Sequence, residues 1–571
     1  MIPRLASTIL LAGACLAQNT SSQTPPQNID SRMDQMVQSY VANKQFMGSV
    51  LVARGDRVLF SKGYGSANLE WGLPDTPATK FRLGSVTKQF TAASILLLEE
   101  RGKLKVEDPV KKYLPDAPPA WDKMTIFHVL THTAGIPNFT SFPDYPSTMA
   151  LPTTTEKLVA RFRDKPLDFE PGEKWNYSNS GYVLLGYLIE KISGESYETF
   201  VQKNIFTLLG MKDSGYDSNS TVIARRAAGY TSGPNGIVNA GFVHMSIPHA
   251  AGALYSTTED LLKWEQGLFG GKVISAASLK KMTTPFKNDY AFGLQVHTVG
   301  GHKVIDHAGG IEGFNTMLAY YPDDKLTVVA LANLNGAAPN EIAAQLAVLA
   351  HGGAVTLQTE RKELTLDPTL LARYVGAYRM GAGGDMLITL DGNQLSGQLT
   401  GQGALPIFPE SETMFFLKAV NAQIEFPATA AGAKASQLTL HQGGRDMVGT
   451  RLDDAEFKKL ADAAASVAKR FKDQTQAPGS EAALRRNIEE VRIGQPKYEL
   501  MSAGLANATR QQLPQLTANI TKLGAILKLT FKGVGPAGAD IYEVKFENGS
   551  AEWRISLDSD GKIAGLNFRP L

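Results

Sequence analysis

Ser85-Val86-Thr87-Lys88 sets a hydroxyl three residues ahead of an amine, just where a long amphipathic segment begins. Residues three apart share one face of a helix, so the two groups come within hydrogen-bond reach. The helix N-terminus also directs backbone N–H groups at developing negative charge. A lysine shielded from water has its pKa lowered and can take the serine proton, which makes the hydroxyl a nucleophile. The same spacing recurs at Ser278, Ser466 and Ser559, where it reads as exposed helix face or turn. Ser85 alone follows a strand-rich segment and a glycine while opening a strongly amphipathic helix.

Tyr177-Ser178-Asn179 is the only YxN among 18 tyrosines. A phenol whose pKa is lowered by nearby lysines can act as base toward a serine and as acid toward a leaving group, and an amide at Asn179 can bind a substrate carbonyl. Taken alone, the motif reads more readily as a loop tyrosine covering the end of a helix that begins near Tyr182. His307-Ala308-Gly309-Gly310 follows a strand-like run at 302–305. Glycines there let a substrate lie against a sheet edge, and the Gly310 N–H can join that of Ser85 in an oxyanion hole. HxG also occurs at His351 and His441, in a helix cap and a β segment, so the reading rests on the three motifs together.

Several elements must position these residues. Val50, Val52, Val58 and Phe60 alternate on either side of Gly55-Asp56, which predicts a hairpin over 48–61. Phe90, Ala93, Leu97 and Leu98 predict a helix over 85–101, stopped at Gly102. Two strand-like runs, 317–321 and 326–331, flank the turn Pro322-Asp323-Asp324. Strands therefore cluster late and helices in the middle, as in one sheet flanked by a helical subdomain. The segment 138–151 offers Phe139, Phe142 and Tyr145 as a pocket wall. After Gly352 short strands with turn signals, at 386–390, 394–399, 415–426 and 437–440, predict a small β domain over 360–452. A helix over 455–471 carries the stripe Phe457, Leu460, Ala464, Val467 and Phe471. The segment 455–571 then reads as helices (481–491, 510–523) followed by a β meander whose apolar positions alternate at Leu527, Leu529 and Phe531, then Tyr542, Val544 and Phe546, then Trp553, Ile555 and Leu557.

Composition narrows the classes. The chain has 571 residues, 43% hydrophobic and 20% charged, which excludes disorder and a membrane bundle. Its net charge of +2 gives no global field toward nucleic acid. The single cysteine, Cys15, removes disulfides, CxxC redox chemistry and thiolate metal sites. Residues 1–17, with Arg4 ahead of an apolar run and small residues at the cleavage position, read as a secretory signal peptide; a lipid anchor at Cys15 is the less favoured alternative. Residues 18–30 read as a solvated linker. No other stretch is long and apolar enough to span a bilayer, so the mature chain is expected outside the cytoplasm, secreted or periplasmic. His128 and His132, four apart on an expected helix, lack the HExxH glutamate and a third ligand, and read as packing and capping rather than metal binding. The letters GxGxxG at 533–538 precede a strand, not a helix, and read as a hairpin loop. No GxSxG is present.

Ordered SxxK, YxN and HxG elements resemble the class C β-lactamase-like serine hydrolases, which include D-alanyl-D-alanine carboxypeptidases, D-aminopeptidases and related esterases. Phe81 to Ser85, Leu130 to Ile136, Pro171-Gly172, Ala251 to Thr257 and Gly313-Phe314-Asn315 resemble the family too. The likeness covers 31–352. It implies an α/β fold with an antiparallel sheet, flanking helices and a helical subdomain. Ser85 would be the acylated nucleophile, Lys88 its proton partner and Tyr177 the general acid/base, with either Lys88 or Tyr177 as the base. Asn179, His307, Gly309 and Gly310 would bind substrate, and no metal or organic cofactor is implied. The family's β-lactamases usually carry lysine where this chain has His307, which disfavours β-lactam turnover and points to D-amino-acid peptides or small esters. A β-lactamase, or a non-catalytic penicillin-binding or cell-wall-fragment sensor, is the alternative. The 360–452 segment resembles lipocalin-like accessory domains and the last segment a small α+β cone; both would shape access, bind substrate or join copies of the chain.

Overall fold

The hairpin expected around Gly55-Asp56 forms one side of a six-stranded antiparallel sheet. The computed structural model describes residues 29–571 apart from 234–235, 382–383, 429, 431, 443–444, 536 and 559. The leader assigned to 1–17, and 18–28 of the linker, lie outside the described residues. Residues 29 and 30 belong to helix α1 (Ile29–Ala42) rather than to a linker, because Met33, Met36, Val37 and Tyr40 recur at helical spacing and are buried.

The sheet strands are β1 (Gly48–Arg54), β2 (Arg57–Tyr64), β3 (Gln295–Val299), β4 (His302–Ile311), β5 (Phe314–Tyr321) and β6 (Leu326–Ala332). Their spatial order is β3-β4-β5-β6-β1-β2, so the chain's first hairpin completes a sheet begun by its later strands. Val50 and Val52 pack toward α1 and α4 (Ala338–Ala350), whereas Leu51 and Ala53 pack toward α2 (Thr87–Glu100). A strand covered on both faces has no reason to alternate with polar residues, and β1 does not. The alternation expected in β2 fails at Val58, which is 48% exposed, because the register shifts opposite Val52 and Ala53.

Every residue of α2 from Thr87 to Leu98 is buried. Its polar side chains find partners inside: Gln89 Oε1 accepts from Trp264 Nε1 (2.9 Å), Thr91 donates to the Ala250 carbonyl (2.7 Å) and Ser94 to that of Phe90 (2.8 Å). A lysine in such a helix is costly unless its environment answers it.

Beyond 352 the chain forms two further units. Eight short strands, β7 to β14 (Gly376–Arg379, Asp385–Asp391, Gln394–Leu399, Leu405–Pro409, Met414–Leu417, Ala422–Glu425, Gln437–Gln442, Arg445–Arg451), close into an antiparallel barrel in chain order. The barrel is lipocalin-like in topology, but Tyr378, Ile388, Phe415, Phe426 and Leu438 fill its core. The run 415–426 is two strands rather than one, since 418–421 turns the chain. Tyr40 Oη accepts from Asn421 of the barrel (2.7 Å) and Gln345 (2.7 Å) while donating to Glu341 (3.0 Å). The barrel is thus tied to the layer of α1 and α4, across the sheet from α2.

Helix α5 (Asp454–Asp473) follows, with its apolar stripe only partly covered, and then α6 (Ser480–Arg492) and α7 (Ala503–Leu523) pack on a four-stranded meander, β15 to β18 (Ile526–Val534, Asp540–Phe546, Gly549–Leu557, Ile563–Pro570). Leu484, Ile488 and Ile520 meet Val544, Trp553 and Ile555 in its core. Leu527 does not join them and is 58% exposed, because a register shift between Ile526 and Lys528 breaks the alternation the sequence shows. Among the described residues, no helix is long and apolar enough to cross a membrane.

Candidate active site

Ser85 sits on a single 3-10 turn (Gly84–Val86) that runs directly into α2. The turn rests on β4. Gly84 has φ +53°, and a Cβ there would stand 2.8 Å from the Gly310 nitrogen. A Cβ on Gly309 would lie 2.0 Å from the Leu83 carbonyl oxygen, which already accepts from Thr316 Oγ1 at 2.8 Å. The glycines of the third motif therefore let the Ser85 turn lie against the strand. Gly309→Ala is expected to push the turn outward and slow acylation by about 10²-fold, since a displacement near 1 Å is enough for that; stopped-flow acylation with an activated ester measures it.

Two side chains converge on the Ser85 hydroxyl oxygen. Tyr177 Oη donates to Ser85 Oγ at 2.8 Å, and Lys88 Nζ lies 2.9 Å from the same atom. Lys88 is 0% exposed, and burial drives its pKa well below the ordinary value. Its other contacts are Asn179 Oδ1 (2.9 Å) and the Ala251 carbonyl (2.8 Å). A neutral amine has two hydrogens and one lone pair; the hydrogens go to those two acceptors, and the lone pair faces the serine hydroxyl. The geometry thus sets an amine lone pair against the Ser85 hydroxyl.

The Tyr177 phenol departs from the sequence reading. Its pKa is raised by burial, the Ser85 hydroxyl pulling the other way. A neutral Lys88, 4.9 Å from its ring centre, supplies no cationic field to lower it. A phenol so placed holds its proton.

His307 is 5% exposed, and both its ring nitrogens are engaged: Nδ1 lies 2.6 Å from the Ala308 carbonyl, to which it donates, and Nε2 accepts from Tyr290 Oη at 3.0 Å. Burial pushes its pKa down to about 3. The head of the third motif is therefore neutral. Asn179 opens helix α3 (Asn179–Ser193), three residues earlier than the sequence suggests, and its Nδ2 donates to Thr140 Oγ1 at 3.2 Å.

His128 and His132 do not share a helix. The helix ends at Leu130, where the Thr131 and Thr133 hydroxyls take up its last carbonyls, and His132 turns away with φ +57°. Its Nδ1 accepts from the Ser178 N–H (3.2 Å), and its ring centre lies 4.3 Å from that of Tyr177 and 4.7 Å from that of Tyr290. His132 and Tyr290 thus hold Tyr177 in place, a role no motif announced. The other SxxK matches do not form such a site: Lys281 pairs with Glu99 at 3.0 Å, Ser466 is exposed on α5, and Ser559 lies outside the described residues.

Ser85, Asn179 and Gly310 open on a cavity of about 230 Å³ walled by Phe139, Tyr145 and Val243. Phe142, expected in that wall, is not part of it; its ring is instead covered by Lys165 Nζ at 4.8 Å. Gly252 and Ala251 line the far side, where the same segment delivers the carbonyl that holds Lys88.

Such a fold and site define a serine hydrolase that acts on amide or ester bonds through an acyl-enzyme. Residues 33–352 match the Beta-lactamase family, and the chain belongs to it. Residues 360–456 match a domain of unknown function, DUF3471. The chain is 31% identical over 439 residues to Penicillin-binding protein 4* of Bacillus subtilis, covering 72% of this chain and 96% of that one. Among solved structures it resembles the octameric penicillin-binding protein homologue from Pyrococcus abyssi (TM-score 0.54, 28% identity, 74% of this chain and 99% of that one). It shares its fold with the D-amino acid amidase from Ochrobactrum anthropi SV3 (TM-score 0.51, 24% identity, 57% of this chain and 99% of that one).

Proposed function

We propose that this chain is an exported hydrolase in which Ser85 is the nucleophile, Lys88 the base and Tyr177 the acid, acting on D-amino-acid peptides or small esters. The observation that carries the reading is the convergence of Lys88 Nζ and Tyr177 Oη on Ser85 Oγ, at 2.9 and 2.8 Å, with the lysine fully buried.

In acylation the Ser85 proton passes to Lys88 Nζ as Oγ bonds to the substrate carbonyl carbon. The backbone N–H groups of Ser85 and Gly310 receive the oxyanion. As the bond to the leaving group breaks, Tyr177 gives that atom its proton, leaving a phenolate beside the Lys88 ammonium. In deacylation the phenolate takes a proton from water, whose oxygen attacks the acyl carbon; the ester bond to Oγ breaks, and Lys88 returns its proton to Ser85. Protons balance over the cycle, and no metal or organic cofactor is needed. His307, neutral and committed to Tyr290 and Ala308, gives no fixed positive charge for a substrate carboxylate, which supports the peptidase or esterase reading over a β-lactamase.

The octameric state named for the Pyrococcus abyssi homologue supports self-association of this chain. The test of the proposal is hydrolysis of a small amide and an activated ester by the full chain: both are expected to vanish with Ser85→Ala, and turnover retained by that variant would remove the reading.

A further inference from the structure

The catalytic cavity holds a single formal charge besides its own machinery. Phe139, Tyr145, Val243 and Ile311 line it with apolar surface, Thr140 and Asn179 add neutral polar groups, and Glu312 adds a carboxylate. Among the described residues no lysine or arginine lines it. The nearest basic groups are committed elsewhere: Lys88 is buried on Ser85, Asn179 and Ala251, and Arg161 pairs with Asp144 at 3.0 Å behind the Phe139 ring. Glu312 is only partly exposed and has no ion pair or hydrogen bond among the described residues. It follows directly on Ile311, the last residue of β4, two residues past Gly310. That is roughly 7 Å along extended backbone from the oxyanion donor, and its side chain can reach a group one or two bonds from the scissile carbonyl.

Resting on the hydrolase reading above, we infer that Glu312 is a specificity-determining residue, selecting substrates that carry a protonated amine beside the scissile carbonyl, such as free aminoacyl amides and esters, over those capped or acidic there. A carboxylate lining a small cavity beside no lysine or arginine is a poor neighbour for a substrate carboxylate and a strong partner for an ammonium. The same cavity would turn away an N-acylated acidic substrate.

The experiment compares three alanine p-nitroanilides, one with a free amine, one N-acetylated and one N-succinylated, in each configuration, using the full chain. Wild type is expected to favour the free amine over the N-acetyl form by about 10- to 100-fold in kcat/KM, the range for a hydrogen bond between charged groups. Glu312→Gln is expected to bring that ratio close to one. Glu312→Lys is expected to shift preference to the succinyl form. A wild-type ratio at or below one, or a ratio that neither variant moves, overturns the inference. Ser85-dependent turnover of p-nitrophenyl acetate separates the two levels: where it persists without amine preference only the role of Glu312 falls, and where it is absent the hydrolase reading falls with it.

Discussion

Lys88→Met is expected to lower kcat/KM by about 10³- to 10⁴-fold, the upper range for loss of a positioned proton acceptor. Lys88→Arg is expected to be no better, because a guanidinium does not give up its proton and has no lone pair to offer Ser85. The pH profile carries the sign of the argument. Burial holds the Lys88 pKa well below its ordinary value, which favours the neutral amine. As pH falls through that lowered pKa, the ammonium forms and the serine loses its acceptor, so wild-type kcat/KM should drop on the acid side. The residual activity of Lys88→Met should not show that limb. A variant that keeps both the rate and the limb would show that the serine proton goes elsewhere, Tyr177 being the other group on the same oxygen.

Tyr177→Phe separates the two half-reactions. Removing the acid should slow acylation by an amide by about 10³-fold, because an amine leaves only with a proton. A p-nitrophenyl ester needs no such proton, so the variant should still release one equivalent of nitrophenol in a burst. It should then stall, since the phenolate that activates water is missing. Burst kinetics with ester and near silence with amide are the expected pair. Equal losses on both substrates, without a burst, would place Tyr177 in positioning rather than proton transfer. The packing of His132 at 4.3 Å and Tyr290 at 6.3 Å from its ring makes that distinction worth drawing, as both variants of role are sterically provided for.

What the sequence discloses follows from the range of the forces involved. Ser85 and Lys88 are legible because helical spacing alone brings them together, and Tyr177 because its motif is unique in the chain. His132 is not, since its place is set where a helix ends early and two threonine hydroxyls turn the backbone into a left-handed conformation. Tyr290 belongs to no motif, and reaches His307 only through the fold. Burial raises the Tyr177 phenol pKa where a lowered one is expected from the sequence, because the depth of its site, which composition does not reveal, penalises the phenolate. Alternation placed most strands, and failed at Val58 and Leu527, where a shifted register turned an apolar residue outward. Closure of the barrel is likewise invisible locally, because the pairing of Tyr378 with Arg451 joins its first and last strands.

The most direct test of the central claim is the intact mass of the full chain after brief exposure to an activated ester, followed by peptide mapping, with Ser85→Ala treated alongside. One acyl group per chain, mapped to Ser85 and missing from the variant, is the result this account requires. An adduct on another residue, or one that survives Ser85→Ala, would contradict it.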